Sequence, residues 1–390
     1  MQLALFLAVI NRHMGVEFNR HNLQTNFIYT YDADSQSSSR FDFIKRVPKT
    51  LYFGAANSCK QSCLFCHSKD LRHKGQNLSW NEYVKCLDSF KKLPIDYEFC
   101  CLAGGGEPML YRDSDKTVND QILAAHERGY KVYLISAEND FSTISEDAAK
   151  ALFNLRISFT RINEKNNTSG IEYNFGHIAE EKIKGSYIMY DDTLPKYDSD
   201  VEQYQRARNT REWLYHNKTT NEIIDKIILI HKKYPFLDQT RISPDYFLTV
   251  DDAEKLIKRF KYRLLKNNFD LNRFEIDTSY ARHSRFTPYK ESCIEGLLNP
   301  TVHPRFADGD VNDDGSFIVS WCRQHVFNKK TFDDRYFTCK IDDILTTFNK
   351  TIENYIQTGA PHLQAPNICT MCCASKMQEA AHKKYNQLKK

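Results

Sequence analysis

Long apolar runs are missing from this sequence. No stretch approaches the roughly 18 consecutive apolar residues that a membrane span requires, so a membrane protein is not expected. A strong charge is also missing, because the formal net charge is only +4 over 390 residues and no basic stripe with interleaved aromatic residues stands out. Nucleic-acid binding is therefore not expected. The 390 residues suffice for one large domain or two of ordinary size.

A convincing export signal is missing as well. The apolar start, Met1 to Ile10, has no basic residue before it, and the following Asn11 to Met14 offer no small-residue cleavage site. A short amphipathic or buried helix is the favoured interpretation of this start. The chain has twelve cysteines, and they are clustered rather than evenly spread. Clustered cysteines favour metal binding in a reducing cytoplasm over a disulfide scaffold, so we expect a cytoplasmic protein.

Three of the cysteines lie on one short loop. Cys59, Cys63 and Cys66 have the spacing C-x3-C-x2-C and directly follow an apolar run at 50–55. Three thiolates on one loop can hold a soft metal or an iron–sulfur cluster, and a four-iron cluster with only three protein ligands keeps one iron open. The alternatives are unrelated cysteines, a zinc site completed by His67, and c-type haem attachment at Cys63 to His67, which would need export.

A second motif follows about 40 residues later as Ala103-Gly104-Gly105-Gly106-Glu107-Pro108. This glycine run and the cysteine loop, with the aromatic Phe65 before its last cysteine, resemble the two signature motifs of the radical S-adenosylmethionine (SAM) enzymes. The resemblance covers roughly residues 45–250. It implies reductive cleavage of SAM to a 5′-deoxyadenosyl radical, which then abstracts hydrogen from a substrate.

The resemblance also implies roles for individual residues. A SAM-binding [4Fe–4S] cluster would be held by Cys59, Cys63 and Cys66. SAM itself would be contacted through its adenine, amino, ribose and carboxylate groups by Phe65, Gly105, Gly106, Glu107, Ser136 and Ser158. One departure is visible, since many relatives have Thr-Asn-Gly after the third strand, where this chain has Ser136-Ala137-Glu138.

Strand-like and helix-like runs alternate along the chain, which implies a parallel sheet. The predicted helices include one that begins at Ser79, one near Asp120 to Arg128 that stops at Gly129, and one that begins at Ser145 and includes Leu152 and Phe153. The predicted strands are 50–55, 97–102, 131–136, 155–159, 185–190 and 240–243. Six such units match the partial (βα)6 barrel of the resembling family, where chemistry gathers at the carboxyl ends of the strands.

A second set of cysteines lies in the last hundred residues. A cysteine after a hairpin and a distant C-x2-C pair resemble the auxiliary-cluster extension called SPASM and its shorter form, Twitch. The shorter form implies one auxiliary [4Fe–4S] cluster held by Cys293, Cys322, Cys369 and Cys372, and either Cys339 or Cys373 could replace one of them. A structural zinc site is the alternative. Cys86, Cys100 and Cys101 are expected to be small buried residues.

The expected organisation is α/β with three parts: an N-terminal segment (1–44), a radical SAM core barrel (45–285) and a small C-terminal auxiliary-cluster domain (286–390). The favoured function is oxidative modification or crosslinking of a ribosomally made peptide. A small-molecule dehydrogenase of the aminoglycoside type and a non-catalytic iron–sulfur or zinc scaffold are the alternatives. The expected partners are the peptide or small-molecule substrate and an external one-electron donor such as flavodoxin or ferredoxin.

Overall fold

One large mixed sheet organises the described part of the chain. The computed structural model describes residues 49–60, 77–93, 96–103, 105–159, 172–189, 220–237, 239–244, 250–276, 300–304, 306–307, 310–311, 317–320 and 338–350. Within these residues the sheet has ten strands, of which eight are parallel to one another. The predicted parallel α/β architecture is thus confirmed, with two more parallel strands than the six expected.

The parallel strands are short and follow one another along the chain. They are β1 (Thr50–Phe53), β2 (Phe99–Leu102), β3 (Lys131–Ser136), β4 (Leu152–Ser158), β5 (Ile183–Met189), β6 (Thr240–Pro244), β7 (Phe274–Ile276) and β8 (Thr301–Pro304). Their spatial order is β8-β1-β2-β3-β4-β5-β6-β7, so β1 to β7 lie side by side in chain order. Their carboxyl ends therefore point to one edge of the sheet.

Among the described residues, an α-helix lies between β1 and β2, β2 and β3, β3 and β4, β5 and β6, and β6 and β7, as a crossover between parallel strands requires. The longer helices of the described residues are α1 (Trp80–Lys91), α2 (Val118–Glu127), α3 (Glu146–Ala151), α4 (Thr220–Lys233) and α5 (Val250–Lys266). The predicted start signals are confirmed: Ser79 accepts a hydrogen bond from the Glu82 N–H of α1, and Ser145 accepts one from the Ala148 N–H of α3.

One predicted boundary is wrong. The helical spacing extended the third helix through Leu152 and Phe153, but α3 ends at Ala151 and Leu152 begins β4. The strand prevails because it pairs with β3, where the register shifts beside Tyr133. The extra residue, Phe153, packs its ring 5.4 Å from that of Tyr133 and 6.1 Å from that of Phe99. Pairing and aromatic contacts thus override a weak local helical pattern.

The two faces of the sheet have different roles. One face packs against the helices in the main hydrophobic core, which includes Leu51, Leu134 and Leu155 from the strands. The opposite face, which we call the inner face, carries a separate small cluster of Phe99, Cys101 and Tyr133. The prediction that Cys86, Cys100 and Cys101 are buried is confirmed. The buried face of α4 carries Ile223, Ile224, Ile227, Ile228 and His231.

The described strands between 300 and 340 join the same sheet. β8 pairs with β1, and β9 (Phe317–Ser320) and β10 (Thr338–Lys340) continue from it in antiparallel orientation. The first strand therefore has a neighbour on both sides. Among the helices that the structure describes, none combines the length and the apolar character needed to cross a membrane.

Candidate active site

The cysteine loop and the glycine run meet at the carboxyl ends of β1 and β2. These strands are parallel neighbours, with Phe53 beside Leu102, so the chain leaves both at the same edge. The Gly106 N–H donates a hydrogen bond to the Ala56 carbonyl, and the Glu107 N–H donates one to the Ser58 carbonyl at 2.7 Å. Ser58, directly before Cys59, is thus held by Glu107, which directly follows the three glycines.

Two glycines make this close approach possible. Gly105 has a φ of +65°, and a Cβ there would lie 2.8 Å from the carbonyl oxygens of Gly54 and Ala56. A Cβ on Gly106 would overlap the backbone of Ser58. The sequence pattern suggested close approach of the backbone to a cofactor, but the described contacts are with segment 54–58 of the chain itself.

Further hydrogen bonds bring the two ends of the cysteine loop together. The Leu78 N–H donates to the Ala55 carbonyl at 2.9 Å, and the Asn57 N–H donates to Asn77 Oδ1 at 2.8 Å. Asn57 is buried, and its Nδ2 has no hydrogen-bond acceptor among the described residues. A buried donor of this kind costs free energy unless a partner is supplied from outside the described set.

Glu107 is the most heavily hydrogen-bonded side chain of the site, and it is 4% exposed. Its Oε1 accepts from Ser136 Oγ at 2.7 Å and from the Met109 N–H at 3.1 Å, while its Oε2 accepts from the Ala137 N–H at 2.9 Å. Burial raises the pKa of the Glu107 carboxyl, and these hydrogen bonds partly offset the rise. Three donors leave acceptor capacity on Oε2, so the carboxylate can still receive a further donor.

The two candidate serines differ in their surroundings. Ser136, at the end of β3, donates a hydrogen bond to Glu107 and accepts one from the Glu138 N–H at 3.0 Å. It therefore positions the Glu107 carboxylate. Ser158, at the end of β4, is half-buried and lies beside Ser186 in the register. Its predicted contact with SAM stays a prediction.

Of the predicted metal ligands, Cys59 is described and half-buried at the strand edge. The remaining cysteines of both proposed cluster sets, together with Phe65 and Cys373, lie outside the described residues: Cys63, Cys66, Cys293, Cys322, Cys369 and Cys372. Within the described ranges no three potential ligands come together as a metal site.

Cys339 is described and lies in β10, buried within the main hydrophobic core. It is close enough to Cys86 on α1 to act on that thiol electrostatically. Burial raises the pKa of the Cys86 thiol and that of the Cys100 thiol well above the usual value for cysteine. Protonated thiols in an apolar core are poor metal ligands, because the thiolate is the ligating form.

Sequence reasoning missed Arg156, which β4 places on the inner face and which is 8% exposed. The available signal was its position between Leu155 and Ile157, both buried on the opposite face. A charged residue that alternates with apolar ones in a central strand points to the interior of the fold.

Comparisons with known proteins give limited likenesses. No family model matches the chain, and no curated protein matches it. Among solved structures, SuiB from Streptococcus suis aligns with a TM-score of 0.42 and 11% identity over 76% of this chain and 65% of SuiB. BtrN in complex with AdoMet and 2-DOIA aligns with a TM-score of 0.26 and 10% identity, and the open conformation of BtrN with 0.25 and 9%.

The alignments with BtrN cover 37% and 36% of this chain and 58% and 57% of the BtrN chains. The chain thus spans less than two thirds of each of these structures. At such identities and TM-scores, the likenesses carry no functional argument.

The close approach at Gly106 gives a first prediction. In Gly106→Ala the new methyl group meets the backbone of Ser58, which has no side-chain rotation to relieve the overlap. We expect the free energy of unfolding, measured by urea denaturation, to fall by about 3 kcal/mol. The control is Gly129→Ala, where φ is +78° but a Cβ would have open space around it, so only backbone strain is added there. It should cost only about 1 kcal/mol, and equal losses in the two variants would contradict the packing argument.

The link between Glu107 and Ser136 gives a second prediction. In the wild type, a backbone N–H donates to each carboxylate oxygen of Glu107. Glu107→Gln replaces one of these oxygens by an amide NH2, so two donors face each other, which should lower the free energy of unfolding by about 1–3 kcal/mol. Ser136→Ala removes one of the three donors. A double-mutant cycle by urea denaturation should therefore give a coupling free energy of about 1 kcal/mol. Additive losses would show that the two side chains do not act together.

Proposed function

We propose that the chain is a radical SAM enzyme that oxidatively modifies or crosslinks a ribosomally made peptide. The observation that carries the proposal is the pair of backbone hydrogen bonds that join segment 56–58, just before Cys59, to Gly106 and Glu107. Two motifs that are separated in sequence by some 40 residues thereby form one site at the carboxyl edge of the sheet.

The residues present fit a [4Fe–4S] cluster with SAM. Three cysteine thiolates are a donor set suited to iron–sulfur clusters, and with three ligands one iron stays open for a cofactor. The buried Asn57 Nδ2, next to the start of the loop, is a donor that such a group could satisfy. When bound, the cluster and SAM would supply one-electron cleavage of the sulfonium and hydrogen abstraction from the substrate, which no side chain can supply.

The residues of the chain then position the cofactor. Glu107 offers the remaining acceptor capacity of its buried carboxylate to the ammonium group of SAM, an interaction strengthened by the low local dielectric. Ser136 and the Ala137 N–H hold that carboxylate in one orientation, so it needs no rearrangement on binding. Ser158 ends β4, two strands from β2 along the same edge, where it would contact a ribose hydroxyl or the carboxylate of SAM.

The inner face of the sheet carries an apolar cluster below this site. The rings of Phe99, Tyr133 and Phe153 pack together with centroid distances of 5.4 to 6.1 Å. Cys101 completes this apolar cluster. A dry interior protects a reactive radical from side reactions and holds a substrate C–H near the cofactor.

The second cysteine set supports an oxidative outcome. An auxiliary [4Fe–4S] cluster on Cys293, Cys322, Cys369 and Cys372 would accept the electron that remains after hydrogen abstraction, which makes a net two-electron oxidation possible. An external one-electron donor of the flavodoxin or ferredoxin type is part of this proposal. The peptide substrate is proposed on the resemblance of this cysteine set to the SPASM and Twitch extensions.

The test is anaerobic reconstitution of the full chain. The wild type should hold about eight irons, and the triple change of Cys59, Cys63 and Cys66 to Ala should leave about four, because each cluster contains four. In the triple variant, formation of 5′-deoxyadenosine from SAM, with dithionite as reductant, should fall to the level measured without enzyme. The control is Cys86→Ala, a buried cysteine that the proposal does not use, which should retain both iron and cleavage.

The converse variant changes Cys293, Cys322, Cys369 and Cys372 to Ala and should lose the other four irons while the SAM-binding cluster stays. A wild type that binds only zinc, or that forms no 5′-deoxyadenosine under strong reductant, would overturn the proposed function.

A further inference from the structure

A buried cation on the inner face of the sheet has no role in the site described so far. Arg156 is 8% exposed, and the charges of Arg241 and Glu275 both act on its guanidinium. Burial, and after it the positive charge of Arg241, lower the pKa of Arg156, while Glu275 opposes them. An arginine that serves only the fold is normally paired when it is buried this deeply.

The sheet register places further polar residues around Arg156. Lys184 on β5 is its direct neighbour, and Arg241 on β6 lies beside Ser186 on β5 and Glu275 on β7. We call the five residues Asn154, Arg156, Lys184, Arg241 and Glu275 the inner-face patch. It has three cationic side chains and one carboxylate, so positive charge is in excess.

Asn154 adds a second buried polar group to the patch. It lies two residues before Arg156 on β4 and is 6% exposed. Its Oδ1 has no hydrogen-bond donor among the described residues. Since carboxamide oxygen and nitrogen are hard to distinguish, this atom marks an unused hydrogen-bonding position that can serve as donor or acceptor.

Arg156 lies just inside the carboxyl edge of the sheet. Arg156 pairs with Ile135 in the register, one residue below Ser136 and therefore below the edge where Glu107 and Cys59 lie. One residue of a strand corresponds to about 3.3 Å. A group held by Arg156 would thus lie on the inner face of the sheet, below its carboxyl edge and two strands from β2.

We propose that the inner-face patch binds a carboxylate group of the substrate through Arg156 and Arg241. Planar guanidinium groups form paired hydrogen bonds with carboxylates, and they do so most strongly where water is excluded. This inference rests on the proposed function and narrows its substrate to a peptide that presents an acidic side chain or its terminal carboxylate. A cationic aminosugar would be repelled by the same charges.

The carboxylate of SAM is the other source of the same chemistry. In SAM the amino and carboxylate groups are attached to one carbon atom, so an amino group held at the end of β2 keeps the carboxylate near β2. Arg241 stands on β6, four strand spacings from β2, which is on the order of 19 Å along the sheet. Arg156 on β4 is nearer, so the experiment must separate the two sources.

The test uses the reconstituted full chain with SAM and two synthetic peptides, acetyl-Gly-Glu-Gly-amide and acetyl-Gly-Gln-Gly-amide, titrated by calorimetry. We expect the wild type to bind the acidic peptide at least ten-fold more tightly than the neutral one. Arg156→Gln and Arg241→Gln should each lower the affinity for the acidic peptide at least ten-fold and leave the affinity for the neutral peptide unchanged. The control is Lys131→Gln, at the amino end of β3, which should behave as the wild type.

Equal binding of the two peptides by the wild type, or binding of neither, would overturn the inference. A loss of SAM affinity in Arg156→Gln with peptide discrimination intact would also overturn it and assign the residue to the cofactor carboxylate. If the wild type discriminates between the peptides but does not cleave SAM, the proposed function is wrong and the proposed anion site is still supported.

Thermal unfolding separates binding from a purely structural role. Arg156→Met removes a buried cation, so the Tm should stay equal or rise. The matched variant Arg263→Met breaks a pair in which Arg263 Nε donates to Asp225 Oδ1 at 2.8 Å, and its Tm should fall. A fall in Arg156→Met as large as in Arg263→Met would show that Arg156 serves the fold and would overturn the inference.

Discussion

The close contact of two backbone segments underlies the whole candidate site. Gly106 and Glu107 donate their N–H groups to the carbonyls of Ala56 and Ser58, so the chain that enters the cysteine loop is fixed against the end of β2. Glycine is required at Gly106 because any side chain would occupy the space of the Ser58 backbone. The position of Cys59, and with it any cluster on this loop, follows from that contact.

Two buried charges on this side of the sheet are treated in opposite ways. Glu107 is surrounded by donors from β3 and its following loop, so its carboxylate is satisfied and oriented before any ligand binds. Arg156 is nearly as deeply buried, yet Lys184 and Arg241 place further positive charge beside it. Under the proposed function, the first arrangement would orient a contact with the cofactor, and the second would be completed by an anionic group of the substrate.

Part of the fold could be read from local patterns, because those patterns reflect local physics. The caps at Ser79 and Ser145 are confirmed, since a side-chain oxygen next to a helix start needs no distant partner. The end of α3 could not be predicted from local sequence. Leu152 pairs with β3, and the ring of Phe153 packs against those of Phe99 and Tyr133, so both residues belong to a strand. The attachment of β8 to β1 likewise joins residues some 250 positions apart.

By itself the sequence determined the cysteine loop, the glycine run and the alternation of strands and helices, since each is a property of neighbouring residues. Only the tertiary structure decided that the glycines approach segment 54–58, that Ser136 is committed to Glu107, and that Arg156 lies buried on the inner face. These facts depend on strand register and on burial. Both are set by contacts between distant parts of the chain, so no local pattern contains them.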